Sequence, residues 1–348
     1  MSAAINRELL ARLPKAELHC HLDGSVRAAT LLDLARESGQ SMPRATAAEL
    51  AAFMLVSDAS TLEEYLERFE VTLSVMQTEA ALERIAYELA IDAYADGVRY
   101  LEIRYCPTLN QRLGLDLGAT VEAPLRGLAR AERETGIVAR AIVTALRTKE
   151  PAESVRLARL AGEYRSRGVV GFDLAGREAG FPASAHESAF LLARENDMAC
   201  TCHAGEGDGA QSVRDAVHRC GAHRIGHATR LIEDPALVEY VADRRIALEI
   251  CLTSNIQTGV TSSYERHPFR QYFDAGLNVV LNTDNRLMSG VTLTDEYAAA
   301  SDHLGFTMDE LCDVAKNGFE SAFLPWRERQ ALLSRVTPEI DALRSLGA

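Results

Sequence analysis

The sequence predicts an α/β protein built as a TIM-type (β/α)8 barrel. Three observations carry that expectation. Apolar runs of strand length alternate with amphipathic stretches of helix length, and that alternation demands a parallel sheet. Counting the first, the runs number about eight, which is the number that closes such a barrel. The chain has 348 residues, and such a barrel typically takes roughly 250 or more. A doubly wound open sheet is the competing architecture, but no Gly-rich phosphate turn opens the first unit. The whole of 1–348 reads as one barrel domain. It carries a helical insertion at about 27–96 and extra helices at the C-terminal end.

Taken in order, residues 1–15 read as a helical lead-in that stops at Pro14. Ala16–Gly24, Ala-Glu-Leu-His-Cys-His-Leu-Asp-Gly, reads as the first strand and its exit. From Arg27 to Asp96 the apolar residues recur at helical spacing, as in Leu31, Leu32, Leu34 and Ala35, or Leu62, Tyr65, Leu66 and Phe69, or Leu82, Ile85, Ala86 and Leu89. That is too long for one crossover helix, so it reads as an inserted helical lid, and such insertions at a barrel mouth gate sites. Seven more strands are expected at Val98–Cys106, Ile137–Leu146, Val169–Ala175, Met198–His203, Arg224–His227, Ile246–Cys251 and Asn278–Asn282. The tail after Thr292 is helical, punctuated by Pro325 and Pro338.

Composition narrows the function. The formal charge of −13 and a pI near 5.2 disfavour nucleic-acid backbones and anionic membranes as partners. The sequence has no signal-peptide pattern and no apolar run of spanning length. Seven scattered cysteines without a Cys-x-x-Cys fit a reducing cytoplasm, not a disulfide framework. Cys200 and Cys202 read as core filling.

Chemistry in such a barrel sits at the C-terminal ends of the strands. Side chains two apart on a strand share a face, so His19 and His21 point together and Cys20 points away. On its own this pair reads equally well as two ordinary histidines. The other strand ends change that. They offer Asp23, Asp173 with Gly176, His203 with Glu206, His227, then Thr253, Ser254 and Asn255, and finally Asp284 with Asn285. Four of the nine histidines fall there; His186, His218, His223, His267 and His303 fall in helices or loops and read as solvated. Imidazoles with one carboxylate suit a divalent metal, zinc first, with iron, cobalt or manganese also compatible. Such a metal brings the pKa of water toward about 7. Glu206, three residues past His203, is placed to shuttle protons, or else to cap the next helix. His227 is either a further ligand or an uncoordinated base. Tyr100, Glu102 and Arg104 share a face at period two, and a buried Glu–Arg pair inside the barrel is expected.

These motifs, in this order, resemble the adenosine deaminase family: His-x-His-Leu-Asp-Gly, Asp-Leu-Ala-Gly, His-Ala-Gly-Glu, Gly-His-Ala and Asn-Thr-Asp, from about Lys15 to the end of the barrel. The resemblance implies that His19, His21, His203 and Asp284 bind one Zn2+ per chain. It implies that Glu206 donates a proton and that His227 positions or deprotonates the attacking water, with Asp284 also in the catalytic set. Asp23 and His21 would hold the ribose side, and the Gly176 N–H would reach purine N3. The implied activity is hydrolytic deamination of a 6-aminopurine nucleoside, adenosine and 2′-deoxyadenosine first. Aminodeoxyfutalosine and adenine are the alternatives. AMP ranks last, because no basic cluster lies near a strand end to neutralise a phosphate. A catalytically silent nucleoside-binding barrel is the reading from another class.

Two positions depart from the family pattern. Asn285 follows Asp284 where many members have a second Asp. An amide can donate to the purine N7 acceptor, whereas an ionised carboxylate cannot. Arg104-Tyr105-Cys106-Pro107-Thr108 replaces the commoner Arg-Tyr-Ser-Pro-His.

Overall fold

The computed structural model describes residues 5–56 and 62–346, with residues 62–67 described by backbone alone. Residues 1–4 of the expected lead-in and 57–61 of the expected insertion lie outside the described residues. Eight strands form the barrel: β1 (Lys15–His21), β2 (Val98–Tyr105), β3 (Val138–Leu146), β4 (Val169–Ala175), β5 (Ala199–Ala204), β6 (Arg224–His227), β7 (Ala247–Ile250) and β8 (Val279–Leu281). The ends of the seven later predicted strands lie within one residue of their observed positions, and β1 occupies the first part of the Ala16–Gly24 stretch, starting one residue earlier. The order runs β1 to β8 without a jump, and every pairing is parallel. Closure occurs just past β8. Cys20 bridges Asp284 in parallel, His21 N–H donates to the Asp284 carbonyl at 2.7 Å, and Asp284 N–H donates to the His19 carbonyl at 3.0 Å. The Asn282 side chain reinforces the seam, its Oδ1 accepting from Leu18 N–H at 2.7 Å and His19 N–H at 3.1 Å.

Between β1 and β2 the described residues form four helices, Ala28–Ser38, Ala47–Met54, Leu62–Leu73 and Glu79–Ala95. Thr46 and Thr78 start two of them by accepting from the N–H of the third helical residue, Glu49 and Ala81, one of the four donors a helix N-terminus leaves unsatisfied. Val56 N–H donates to the Met288 carbonyl at 2.9 Å, so this helical segment is tied to the loop after Asn285. The C-terminal helices are Leu293–Leu304, Met308–Glu320 and Trp326–Leu346. Pro325 precedes a helix, as expected, but Pro338 lies inside one. It is exposed, so the carbonyl left without an N–H partner faces water, and the helix continues.

The buried charges of β2 pair differently from the expectation. Arg104 does not meet Glu102. It reaches Glu249 at 2.8 Å and Asp173 at 3.5 Å, while Glu102 pairs with Arg224 and accepts from Tyr100 Oη at 2.6 Å. Neighbours two apart on a strand stand side by side, whereas the inward-facing side chains of β4, β6 and β7 point across the barrel at them. All seven cysteines are free and buried, Cys200 and Cys202 among them.

Lys15 enters β1 fully buried, donating to the carbonyls of Leu10 at 2.6 Å and Leu13 at 2.9 Å. Burial lowers its pKa to about 7, against the attraction of Asp96. Between that value and the ordinary lysine range the unfolded chain holds the proton and the folded chain does not. This site's contribution to stability therefore rises with pH across that window. Lys15→Met is expected to flatten the rise. Urea unfolding of both proteins between pH about 7 and 9.5 measures it, and equal slopes would contradict the assignment.

Candidate active site

The strand ends bring His19, His21, His203 and Asp284 together, with one ligating atom from each within 4.8 Å of all the others. His19 and His21 do share a face of β1, and Cys20 turns away toward Ser25 and Thr283. His21 Nε2 lies 3.1 Å from His203 Nε2. Asp284 Oδ1 lies 3.4 Å from His19 Nε2 and 3.3 Å from His21 Nε2. The space is shaped by small residues: a Cβ on Gly226 would come within 3.0 Å of His19 Cε1.

Partners behind the cluster orient it. His19 Nδ1 meets Glu249 Oε2 at 2.9 Å, and His203 Nδ1 meets Asp173 Oδ1 at 3.1 Å. A carboxylate only accepts, so each Nδ1 carries the proton and each neutral ring turns a bare Nε2 inward. Ser254 Oγ donates to Asp284 Oδ2 at 2.6 Å. Burial lowers the His19 pKa to about 4, and burial also holds His21 well below its usual value. Burial pushes the Asp284 carboxyl up, but the neighbouring imidazoles of His19, His21 and His227 outweigh it, so the group is held well below its usual range. At His203 burial lowers the pKa, but the Asp173 carboxylate outweighs it and raises it.

The residues fit a metal ion on grounds internal to this structure. His19 Nε2 is buried without a hydrogen-bond partner among the described residues, and it faces a carboxylate oxygen. Acceptor faces acceptor there, and the bare Nε2 of His203 faces His21. A cation placed among them would satisfy these lone pairs, with carboxylate-backed imidazoles as its ligands.

The other expected residues lie at or just past the ends of the strands. His227 ends β6 in the left-handed region, φ 62°, as does Asp284, φ 62°. Non-glycine residues are costly there, and such strain concentrates at functional sites. His227 Nε2 lies 3.5 Å from Glu206 Oε2. Burial raises the Glu206 pKa, with His227 opposing it. Glu206 does not cap the next helix, Ala210–His218, whose N-cap is Gly209. Asp23 is buried, its Oδ1 has no partner among the described residues, and burial raises its pKa to about 7. Gly176 follows β4 at φ 94°, a conformation that suits glycine. Asn285 is buried against Gly24, where any Cβ would overlap its Oδ1 at 1.7 Å. Gly24 is therefore what leaves room for the Asn285 side chain.

Some functional partners escape a reading of the sequence. Glu249 is one. A lone charge in the apolar run Ala-Leu-Glu-Ile is the signal that marks it. Glu178 is another: buried, it accepts from Gly205 N–H at 3.0 Å and Glu206 N–H at 3.1 Å, pinning the turn that carries Glu206. Two of the histidines read as solvated are in fact buried. His186 meets Ser154 Oγ at 2.8 Å, and His267 meets Asn255 Oδ1 at 3.1 Å. His186 ends the 3-10 turn Ala183–His186 and His267 follows the turn Tyr264–Arg266, and the local sequence does not specify how such turns pack. His218, His223 and His303 are exposed.

Comparison with known proteins gives a consistent picture. A family model described as adenosine deaminase matches residues 14–339. A protein named adenosine deaminase from Mycobacteroides abscessus is 40% identical, covering 97% of both chains. A probable adenosine deaminase from Dictyostelium discoideum is 43% identical over 92% of this chain, and this chain spans 42% of that longer protein. An amidohydrolase from Burkholderia ambifaria, crystallised with bound Zn, superposes with a TM-score of 0.89 at 29% identity, covering 99% of this chain and 95% of the other. The match over nearly the whole barrel, with the cluster at its strand ends, places this chain in the adenosine deaminase family.

Proposed function

We propose that the protein catalyses zinc-dependent hydrolytic deamination of a 6-aminopurine nucleoside, adenosine and 2′-deoxyadenosine first, giving the 6-oxo nucleoside and ammonia. The observation that carries this reading is the convergence of His19, His21, His203 and Asp284 beside Glu206 and His227. Those four residues would hold one zinc ion per chain; bound there, it would acidify water and make a nucleophile available near neutral pH. Glu206 gives its proton to purine N1, which makes C6 electrophilic. Burial raises its pKa, which favours the protonated form this role needs. Glu178 keeps Glu206 in place through the backbone. His227 orients the attacking water. Asp23 and His21 take the ribose side, and the Gly176 N–H takes N3. The helical segment at about 27–96 acts as a lid, and its tie to the Met288 carbonyl supports that role.

Ammonia release across adenosine, 2′-deoxyadenosine, adenine, aminodeoxyfutalosine and AMP tests the reading. The two nucleosides should give the highest kcat/KM. A higher value for another compound would reassign the substrate, and none from any would favour a silent barrel.

Asn285 supplies the donor for N7 in this reading. The wild type should bind adenosine better than 7-deazaadenosine by roughly 1–3 kcal/mol, the cost of an unsatisfied partner. The preference should shrink in Asn285→Ala. Asn285→Asp should bind more weakly and show better relative activity at acid pH, where its carboxyl can donate. Competitive binding constants for both ligands measure the preference; if it is equal in wild type and Asn285→Ala, Asn285 does not contact N7.

A further inference from the structure

We propose that Asn255 and His267 set the tautomer of His227, holding its neutral ring with the proton on Nε2 as a donor toward Glu206 and the reacting atoms. The relay begins at a backbone amide. Phe269 N–H donates to His267 Nδ1 at 3.1 Å. A backbone N–H is only a donor, so Nδ1 carries a lone pair and the neutral His267 ring has its proton on Nε2. Burial keeps this ring neutral.

His267 Nε2 lies 3.1 Å from Asn255 Oδ1, and Thr229 Oγ1 donates to the same oxygen at 3.2 Å. The His267 N–H cannot face an NH₂ group, so this atom of Asn255 is the carbonyl oxygen and the amide has one orientation. The other end, Nδ2, lies 3.0 Å from His227 Nδ1. An amide NH₂ only donates. His227 Nδ1 therefore accepts, and the neutral ring carries its proton on Nε2. That nitrogen is the one 3.5 Å from Glu206 Oε2. Asn255, His267 and His227 are all buried, which shields the relay from competing water.

The tautomer decides what His227 can do. A neutral ring with Nε2–H can give a hydrogen bond to the attacking oxygen but has no lone pair there to take its proton. Of the two roles the family resemblance leaves open, positioning is the one this arrangement allows. Asn255 and His267 are then positioning residues that act through His227. The kinetic consequence rests on the deaminase reading above, whereas the tautomer does not.

The test is ¹⁵N NMR of histidine-labelled, zinc-loaded full-length protein at alkaline pH, with the His227 signals assigned through His227→Gln. The wild type should show a protonated Nε2 and a bare Nδ1. Asn255→Asp keeps the shape but can only accept, so its His227 should move the proton to Nδ1. In turnover of adenosine, kcat should fall on the order of 10²–10⁴-fold, as for a misplaced histidine tautomer elsewhere, with KM within a few-fold. His267→Gln retains a donor toward Asn255 and should keep the wild-type tautomer; His267→Leu should weaken it. A wild-type His227 protonated on Nδ1, or an unchanged tautomer in Asn255→Asp, would overturn the proposal. If Asn255→Asp does not fold, the wild-type spectrum decides alone. A flipped tautomer in Asn255→Asp without any deaminase activity in the wild type would leave the relay standing and remove the deaminase reading.

Discussion

Asp284→Ala is expected to lose bound metal and deaminase activity together. The carboxylate is the only anionic member of the four-residue cluster. Its oxygen sits 3.3–3.4 Å from two histidine nitrogens, so without it three imidazoles face one another with no charge to offset a cation. Losing a ligand should weaken metal binding by more than the roughly 10–100-fold typical of losing an outer hydrogen-bond partner. Asp284 also closes the barrel in a left-handed conformation, which Asn tolerates better than Ala. Asp284→Asn therefore separates the two effects: it should fold as the wild type does and still hold metal poorly. Elemental analysis after dialysis, read beside turnover, measures both. An Ala variant that keeps metal and activity would return the cluster to a set of buried polar groups.

Glu206→Gln should keep its metal and lose about 10²–10⁴-fold in kcat, the usual worth of a general acid–base group. The amide matches the carboxyl in shape and cannot donate an acidic proton to N1. Glu178 holds the backbone at Glu206 rather than its side chain, so the turn should stay in place and KM should change little. Wild-type turnover in this variant would make Glu206 a bystander at the site mouth.

Much of this was legible because a parallel barrel imposes a simple rule on its sequence. Period two places His19 and His21 on one face, and strand–helix alternation marks where each strand ends. Together they locate His203, His227 and Asp284 without knowledge of any contact. What the rule does not reach is the choice of partner across the barrel. Arg104 and Glu102 look like a pair because they are neighbours in sequence. Yet Arg104 binds Glu249 and Asp173, and Glu102 binds Arg224, contacts set by how inward-facing side chains interleave. His267 illustrates the same limit. In sequence it is a loop histidine before a proline, and only the packing of that loop onto Asn255 makes it part of the site.

The most direct test of the central claim is deamination in ¹⁸O-labelled water. Metal-loaded protein is incubated with adenosine, and the products are analysed by mass spectrometry alongside an ammonia assay. Inosine should carry one heavy oxygen at C6 and appear with an equal amount of ammonia. Both products should be lost on chelation and restored by zinc. Inosine without the label, or no conversion by the zinc-loaded protein, would rule out zinc-dependent hydrolytic deamination.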